Sequence, residues 1–469
     1  MIEGRVIVCL ASSWDYDPTS KHQIMRILAR NNTIIWVNYR GTRKPGVTMA
    51  DLKGCVSTLR RITSGAKPIS PSMVQMTPLV IPGASNKLMQ FLHKRMLITQ
   101  IRRAIRSLPG TQGKPLQVWT FAPDVPYLVG ELNEECFVYY CVDEYTEFEG
   151  FDRLAIAAAE RQLIDRADLV ITTSETLWNT KRKQRPDAVL VRHGVAFDHF
   201  ATAWRKELPR PEDLRAITAP IFGFFGWIHH WIDLELIARV ARLRPEYAFV
   251  FLGDCGVDAS VLDGIPNVFL LGRRRFEDLP AYCRAFRAGL MPFVRSTMTR
   301  NINPIKMTEY LAAGLPVVST ALPEAKRHEG PITIAETPEE FAQACDAIIT
   351  NDFTMDHRTI SDTVKDHSWE ATVEHVSDAV MSRVESAAEV GNIVEKTTDR
   401  IGEKDGRLEC SALSGDGEQT PGLFDRGQTR PGGVPVIGEE SATGPPRRTS
   451  ENNHAAGEPV NCGHRIDSL

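Results

Sequence analysis

The run Asn303-Pro304-Ile305-Lys306-Met307-Thr308-Glu309-Tyr310-Leu311-Ala312-Ala313-Gly314-Leu315-Pro316 carries the residues best suited to chemistry. Its pattern predicts a helix over Ile305–Ala313, with Pro304 suited to the first helical position and Gly314 as the stop. Lys306 and Glu309 are three apart, so they share one face of the first turn. A helix start with an added Lys is an anion site that fits a diphosphate. An ionised Glu309 only accepts hydrogen bonds, which suits the hydroxyls of a sugar or ribose.

Two further loops join it. Ile221-Phe222-Gly223-Phe224-Phe225-Gly226-Trp227 reads as a strand entering a glycine turn, where backbone amides can approach a phosphate. His229 follows, either as a phosphate contact or as a structural neighbour of Trp227 and Trp231. In Leu271-Gly272-Arg273-Arg274-Arg275, Arg273 reads either as a ligand for a base or phosphate or as part of a solvated basic turn. Asp143 follows the apolar run Phe137–Val142, so it stands at a strand end as a general base or acceptor ligand.

Such loops need strands to hold them. Val6–Leu10, Thr33–Val37, Gln117–Phe121, Phe137–Val142, Leu169–Thr173 and Ala188–Val191 are short apolar runs without polar alternation, as in parallel strands covered on both faces. Helical patterns such as Lys21–Arg30 and Arg153–Arg166 lie between them. The pattern restarts with Pro220–Gly226, Ala248–Gly253, Val268–Gly272, Gly289–Phe293, Pro316–Thr320 and Ile332–Ala335. This predicts an α/β chain of two Rossmann-like, doubly wound domains facing across a cleft, joined near 200–219. The expected divisions are 1–205, 215–350, a helical segment 351–390 packing back on the first domain, and a disordered tail 391–469. The tail is rich in Gly, Pro, Ser and charge and cannot bury enough apolar surface to offset its ordering entropy.

Composition narrows the function. The chain of 469 residues has a net charge of −4, yet residues 1–110 carry 17 Lys and Arg against 4 acids. That excess points to an anionic partner. Nine cysteines without a C-x-x-C pair suit a reduced, cytoplasmic protein rather than a disulfide scaffold or zinc module. No apolar stretch approaches membrane-spanning length, so any membrane contact is expected to be peripheral. Asn86–Leu108 reads as a basic amphipathic helix that either lies on anionic lipid or is an ordinary domain helix with a solvated basic face.

The block ending Glu309-Tyr310-Leu311-Ala312-Ala313-Gly314-Leu315-Pro316-Val317-Val318 resembles the donor-binding segment of GT-B glycosyltransferases of the family-4-like group (glycosyl transferases group 1). The resemblance implies transfer from a nucleotide-diphosphate sugar, with retention of configuration, in polysaccharide or glycolipid assembly. It implies donor contacts from Gly223, Gly226, Trp227, His229, Arg273, Asn301, Asn303, Pro304, Ile305, Lys306 and Glu309. It also implies an acceptor-side loop containing Ser13, Trp14 and His22. Asn301 departs from the pattern, which has Glu there. The catalytic candidates are Asp143, Lys306 and Glu309. No metal or other cofactor is expected, and no nucleic acid partner; the acceptor is a glycan or lipid-linked sugar. Three rivals stay open: a Rossmann oxidoreductase, disfavoured because no G-x-G-x-x-G follows the first strand, a GT-B-fold sugar-nucleotide epimerase, and a non-catalytic nucleotide-sugar-binding or assembly protein.

Overall fold

The structure, a computed structural model, describes residues 1–15, 18–39, 66–79, 87–148, 150–328, 330–350 and 352–405. Met1–Ala387 contains two sheets within one compact unit. The first is built by β1 (Val6–Ala11), α1 (Ser20–Leu28), β2 (Thr33–Asn38), β3 (Lys67–Ser70), β4 (Met73–Met76), α2 (Lys87–Ser107), β5 (Leu116–Thr120), β6 (Cys136–Cys141), α3 (Arg153–Arg166), β7 (Leu169–Thr172), α4 (Glu175–Lys181) and β8 (Val189–Leu190). Its strand order is β3-β4-β2-β1-β5-β6-β7-β8. All neighbours are parallel except β3, which runs antiparallel to β4 at the edge. β1, β6 and β7 are buried along their whole length, which is why their apolar runs show no alternation.

The second sheet follows α5 (Phe197–Arg205) and contains β9 (Ile221–Phe225), α6 (Leu234–Leu243), β10 (Ala248–Leu252), β11 (Val268–Leu270), α7 (Leu279–Ala285), β12 (Phe286–Met291), α8 (Thr297–Asn301), α9 (Ile305–Ala312), β13 (Val317–Ser319), β14 (Ile332–Ile334) and α10 (Pro338–Ile349). All its strands are parallel, in the order β11-β10-β9-β12-β13-β14. Counting within this domain, that is the doubly wound order whose direction reverses between β9 and β12. Ligands bind outside the carboxyl ends of the strands at such a reversal, so Gly226 and the segment after Met291 frame the crevice. The described residues end with α11 (His357–Asp362) and α12 (Trp369–Asp405).

Three features depart from the expected organisation. The β3–β4 hairpin went unpredicted, because Lys67 and Pro68 are exposed and neither strand has a continuous apolar run. An edge is where a sheet tolerates proline. The expected boundary at 205 puts helix α5 in the first domain. Its Phe200 and Ala203 instead enter the core of the second, and the His199 Nε2 lies 2.9 Å from the Phe276 carbonyl oxygen. Finally, helix α12 runs through Asp405 where a tail was expected from 391. Residues 406–469 lie outside the described residues, as do Asn86 and the Tyr16–Asp17 part of the first loop.

The segment 351–390 divides between the domains. Ile360 and Val364 join the second core. Trp369, Val373, Val376 and Val380 recur at helical spacing and pack into the first. Among the described residues no helix is long and apolar enough to cross a membrane.

Candidate functional site

Strand β9 is wholly buried and ends at Gly226, whose φ is +146°. The Gly226 amide donates to the Leu252 carbonyl at 2.9 Å. A Cβ built on Gly226 would lie 3.2 Å from Lys306 Cε, so the lysine stem runs directly against this turn. Lys306 Nζ sits 3.6 Å from Glu309 Oε2 and 5.8 Å from the centre of the Phe225 ring. The Lys306 side chain is one-third exposed and that of Glu309 is nearly closed off. Among the described residues Glu309 Oε2 is buried without a hydrogen-bond partner, the Lys306 ammonium lying just beyond that distance. The first turn of α9 contains no acid. A lysine on a helix start, beside a glycine turn at the crevice of a doubly wound sheet, makes a local field for a diphosphate. A buried carboxylate oxygen with no donor is suited to a ligand hydroxyl.

Pro304 is the N-cap of α9 rather than its first helical residue, and Ile305 opens the helix. Ile305 packs into the core of the first domain with Trp369 and Val373 nearby in the same cluster. The loop before it is tied to that domain too. The Asn303 side-chain amide donates to the Thr173 carbonyl at 3.0 Å, and the Ser174 hydroxyl donates to the Asn301 carbonyl. The Asn301 side-chain nitrogen caps its own helix on the Thr297 carbonyl. Glu324, 2% exposed, accepts from the Glu175 amide at 2.8 Å and from Arg192. Asn303 and Asn301 thus have structural commitments at the domain junction. Thr173, Ser174 and Glu324 join the site without a signal for it in the sequence. Ser174-Glu175 carries only an N-cap signal, and nothing local marks a contact across 127 residues.

Gly223 does not reach the crevice. It lies inside β9, and a Cβ there would fall 2.0 Å from the Phe286 ring. It is a packing glycine, paired across the sheet reversal with Gly289. Trp227, His229, His230 and Trp231 form one aromatic cluster, with His229 and His230 Nδ1 atoms 2.6 Å apart. Arg273 is exposed on the turn after β11, and its carbonyl accepts from Arg274. A cavity of about 650 Å³ opens beside α8, lined by Arg295, Arg300, Lys326, Ala321 and Pro323. Its lining is cationic with no acid. Among the described residues no cluster of three His, Cys, Asp or Glu could hold a metal.

The acceptor-side expectations change more. Trp14 is half-buried, with Arg26 5.2 Å from its ring centre. Ser13 and His22 are buried at 2% and 0% exposure, so the closed interior, not an open loop, surrounds them. His22 lies between Trp14 and Trp36, and its Nδ1 accepts from the Thr19 amide at 3.1 Å. Burial first, then Lys21 and Arg26, push its pKa down to about 3. Burial does the same to His193, also to about 3. Both stay neutral in the folded protein, whereas in the unfolded chain they titrate near 6.5. Their contribution is present above the unfolded value and is lost as pH falls towards the folded one. Stability should therefore drop by about 2 kcal/mol per histidine between pH 6.5 and 5. Urea denaturation at the two pH values checks this: His193→Phe should have a shallower slope than the native chain, and equal slopes would refute it.

Asp143 is buried, immediately beyond Val142, whose carbonyl accepts from Thr173 Oγ1 at 3.1 Å. Thr173 in turn accepts from Asn303, so Asp143 and the Lys306 segment are two short links apart. The loop is braced from beneath. Lys181 Nζ contacts Glu160 at 2.8 Å and Glu144 at 3.1 Å, Tyr139 donates to Glu160 at 2.6 Å, and Glu144 accepts from Thr146. Removing one partner of a buried ion pair leaves an uncompensated charge. Lys181→Ala should cost about 3 kcal/mol in urea denaturation; a loss no greater than that of an exposed lysine such as Lys206 would show the network to be idle.

Residues 219–351 match the family of glycosyl transferases group 1. A Bacillus subtilis (strain 168) protein described as a teichuronic acid biosynthesis glycosyltransferase, TuaH, is 26% identical over 257 residues, covering 50% of this chain. The alignment spans 64% of that relative's length. Sucrose-phosphate synthase from Thermosynechococcus elongatus superposes with a TM-score of 0.58 over 82% of this chain and 100% of its own, at 14% identity. HepE of Anabaena, solved with UDP and glucose, gives 0.54 over 80% and 99%, at 13% identity. The E. coli structure described as trehalose-6-phosphate bound with UDP-2-fluoro glucose gives 0.57 over 80% and 98%, at 12% identity. The two doubly wound sheets give this chain the GT-B fold, and its second domain, residues 219–351, is similar to the group 1 glycosyltransferases.

Proposed function

We propose that the chain transfers a sugar from a nucleotide-diphosphate donor to a glycan or lipid-linked acceptor in envelope polysaccharide or glycolipid assembly, at the cytoplasmic face. The observation that carries this reading is the seating of Lys306 against the Gly226 turn, with the orphaned Glu309 oxygen beside it. Lys306 and the start of α9 neutralise the diphosphate as it departs, which is where transition-state charge grows. Glu309 accepts from hydroxyls of the donor. Asp143, at the end of β6, takes the acceptor-side role of base or ligand. Retention of configuration and a hexosyl donor complete the proposal. Solved neighbours of the same fold hold UDP or a UDP-sugar, which supports testing uridine nucleotides first.

The experiment is a thermal-shift and turnover screen against UDP-, GDP-, dTDP- and ADP-sugars, with NAD(H) as control, on the native chain and Glu309→Ala. One sugar nucleotide should stabilise the native chain and not the variant. Because Lys306 supplies the leaving-group charge, turnover should survive EDTA. Stabilisation by NAD(H) alone, or by no sugar nucleotide, would overturn the reading.

A further inference from the structure

Helix α2 uses two faces. Leu97, Ile98, Ile101 and Ala104 enter the core of the first domain. The opposite face is formed by Leu88, Phe91, Leu92, Arg95, Thr99, Arg102, Arg103 and Arg106, spaced so that all fall on one stripe. The first three are 66%, 54% and 42% exposed. Leu79, 41% exposed, is held beside the same helix by reciprocal hydrogen bonds with Gln100. Eight large hydrophobic side chains stand exposed among the described residues, and half of them are these four. The others are scattered, as single exposed apolar residues normally are.

The charge that α2 itself carries is of one sign. The sequence of α2 contains no acid. Arg95 lies 5.5 Å over the Phe91 ring, and Lys94 and Arg102 are tied to Glu131. Arg103 and Arg106 are exposed, and neither has an ion pair among the described residues. A short apolar tip thus runs into a cationic stripe.

We propose that this face docks the first domain on an anionic lipid bilayer. Leu88, Phe91 and Leu92 enter the acyl boundary, and the arginines lie over the headgroup phosphates. The observations favour lipid over a second copy of the chain, since a symmetric contact would bring two acid-free cationic stripes together. They favour lipid over nucleic acid, because phosphate backbone binding gives no role to three exposed apolar side chains at the end of the stripe. The inference stands independently of the donor site and would bring a lipid-linked acceptor to the same surface.

The test is co-sedimentation of the full chain with vesicles of phosphatidylcholine alone and of phosphatidylcholine with phosphatidylglycerol. The native chain should pellet with the anionic vesicles only, and less as salt rises. Arg103→Gln with Arg106→Gln should weaken partitioning by about thirty-fold, at about 1 kcal/mol per surface cation. The triple variant Leu88→Ser, Phe91→Ser, Leu92→Ser should leave the pellet. These positions are exposed, so an unchanged melting temperature would show that each variant is folded. The proposal fails if the native chain ignores anionic vesicles, if both variants bind as it does, or if light scattering shows a dimer that the same substitutions dissolve. None of these results depends on whether a sugar nucleotide binds.

Discussion

Lys306→Ala should lower kcat/KM for sugar transfer by about 10²- to 10³-fold, the range seen when one preorganised group facing developing charge is removed. The Lys306 stem runs along the Gly226 turn, and its ammonium reaches the space at the start of α9. The charge on a departing diphosphate is larger than in the bound donor, so the loss should fall more on kcat than on donor affinity. Stability should move little. The side chain is one-third exposed, and its ion pair with Glu309 is long at 3.6 Å. Such a pair contributes at most about 1 kcal/mol. Lys306→Arg keeps the charge and should recover part of the rate, while Lys306→Met should behave as the alanine variant. Steady-state kinetics beside a thermal melt separate the cases: a large fall in melting temperature with unchanged kcat in the surviving protein would make Lys306 a structural residue.

The sequence carried this part of the site because it is local. Lys306, Glu309 and the glycine stop sit within one helix, and helix periodicity fixes their relation without knowledge of the rest of the chain. The buried parallel strands were equally legible, since each is a short apolar run covered on both faces. The same feature explains the misreading of Gly223. Both Gly223 and Gly226 belong to one apolar glycine-containing run, and only the packing of Phe286 over Gly223 distinguishes a glycine inside the strand from one that turns at its end. His22 was misread for a related reason. A polar residue in a loop after a strand suggests a site, whereas the two indole rings that enclose it come from Trp14 and from Trp36 on the next strand. The junction Thr173–Asn303, Ser174–Asn301 and Arg192–Glu324 joins residues more than 100 positions apart. No spacing rule reaches that far. Helix α2 lies between these cases: its periodicity was visible, but the sequence merged a core-facing and an exposed apolar face into one.

The carboxyl edge of the second sheet yields the second large effect. Gly253→Ala should destabilise the chain by about 4 kcal/mol and weaken donor binding by more than about tenfold. Gly253 ends β10 with φ at +152°, where an L side chain is strained whatever the space around it. Space is absent as well. A Cβ there would lie 1.8 Å from the Gly226 carbonyl oxygen and 2.8 Å from its carbon. That neighbour is backbone, so no rotamer change can relieve the contact. Either β10 moves out of register with the Gly272 carbonyl, to which the Gly253 amide donates, or the Gly226 turn moves against Lys306. The first choice costs stability and the second displaces the proposed phosphate cradle, so the two losses should appear together. Gly264 gives the control: its φ is +73° but a Cβ would meet nothing within 4 Å. Gly264→Ala should therefore cost only the backbone term, about 1 kcal/mol, and leave donor binding intact. Chemical denaturation and nucleotide titration of the two variants decide the matter. Equal stability losses would mean that the close approach of Gly253 to the Gly226 carbonyl is not a constraint on this fold. A destabilised Gly253→Ala that still binds donor normally would detach the Gly226 turn from the phosphate site.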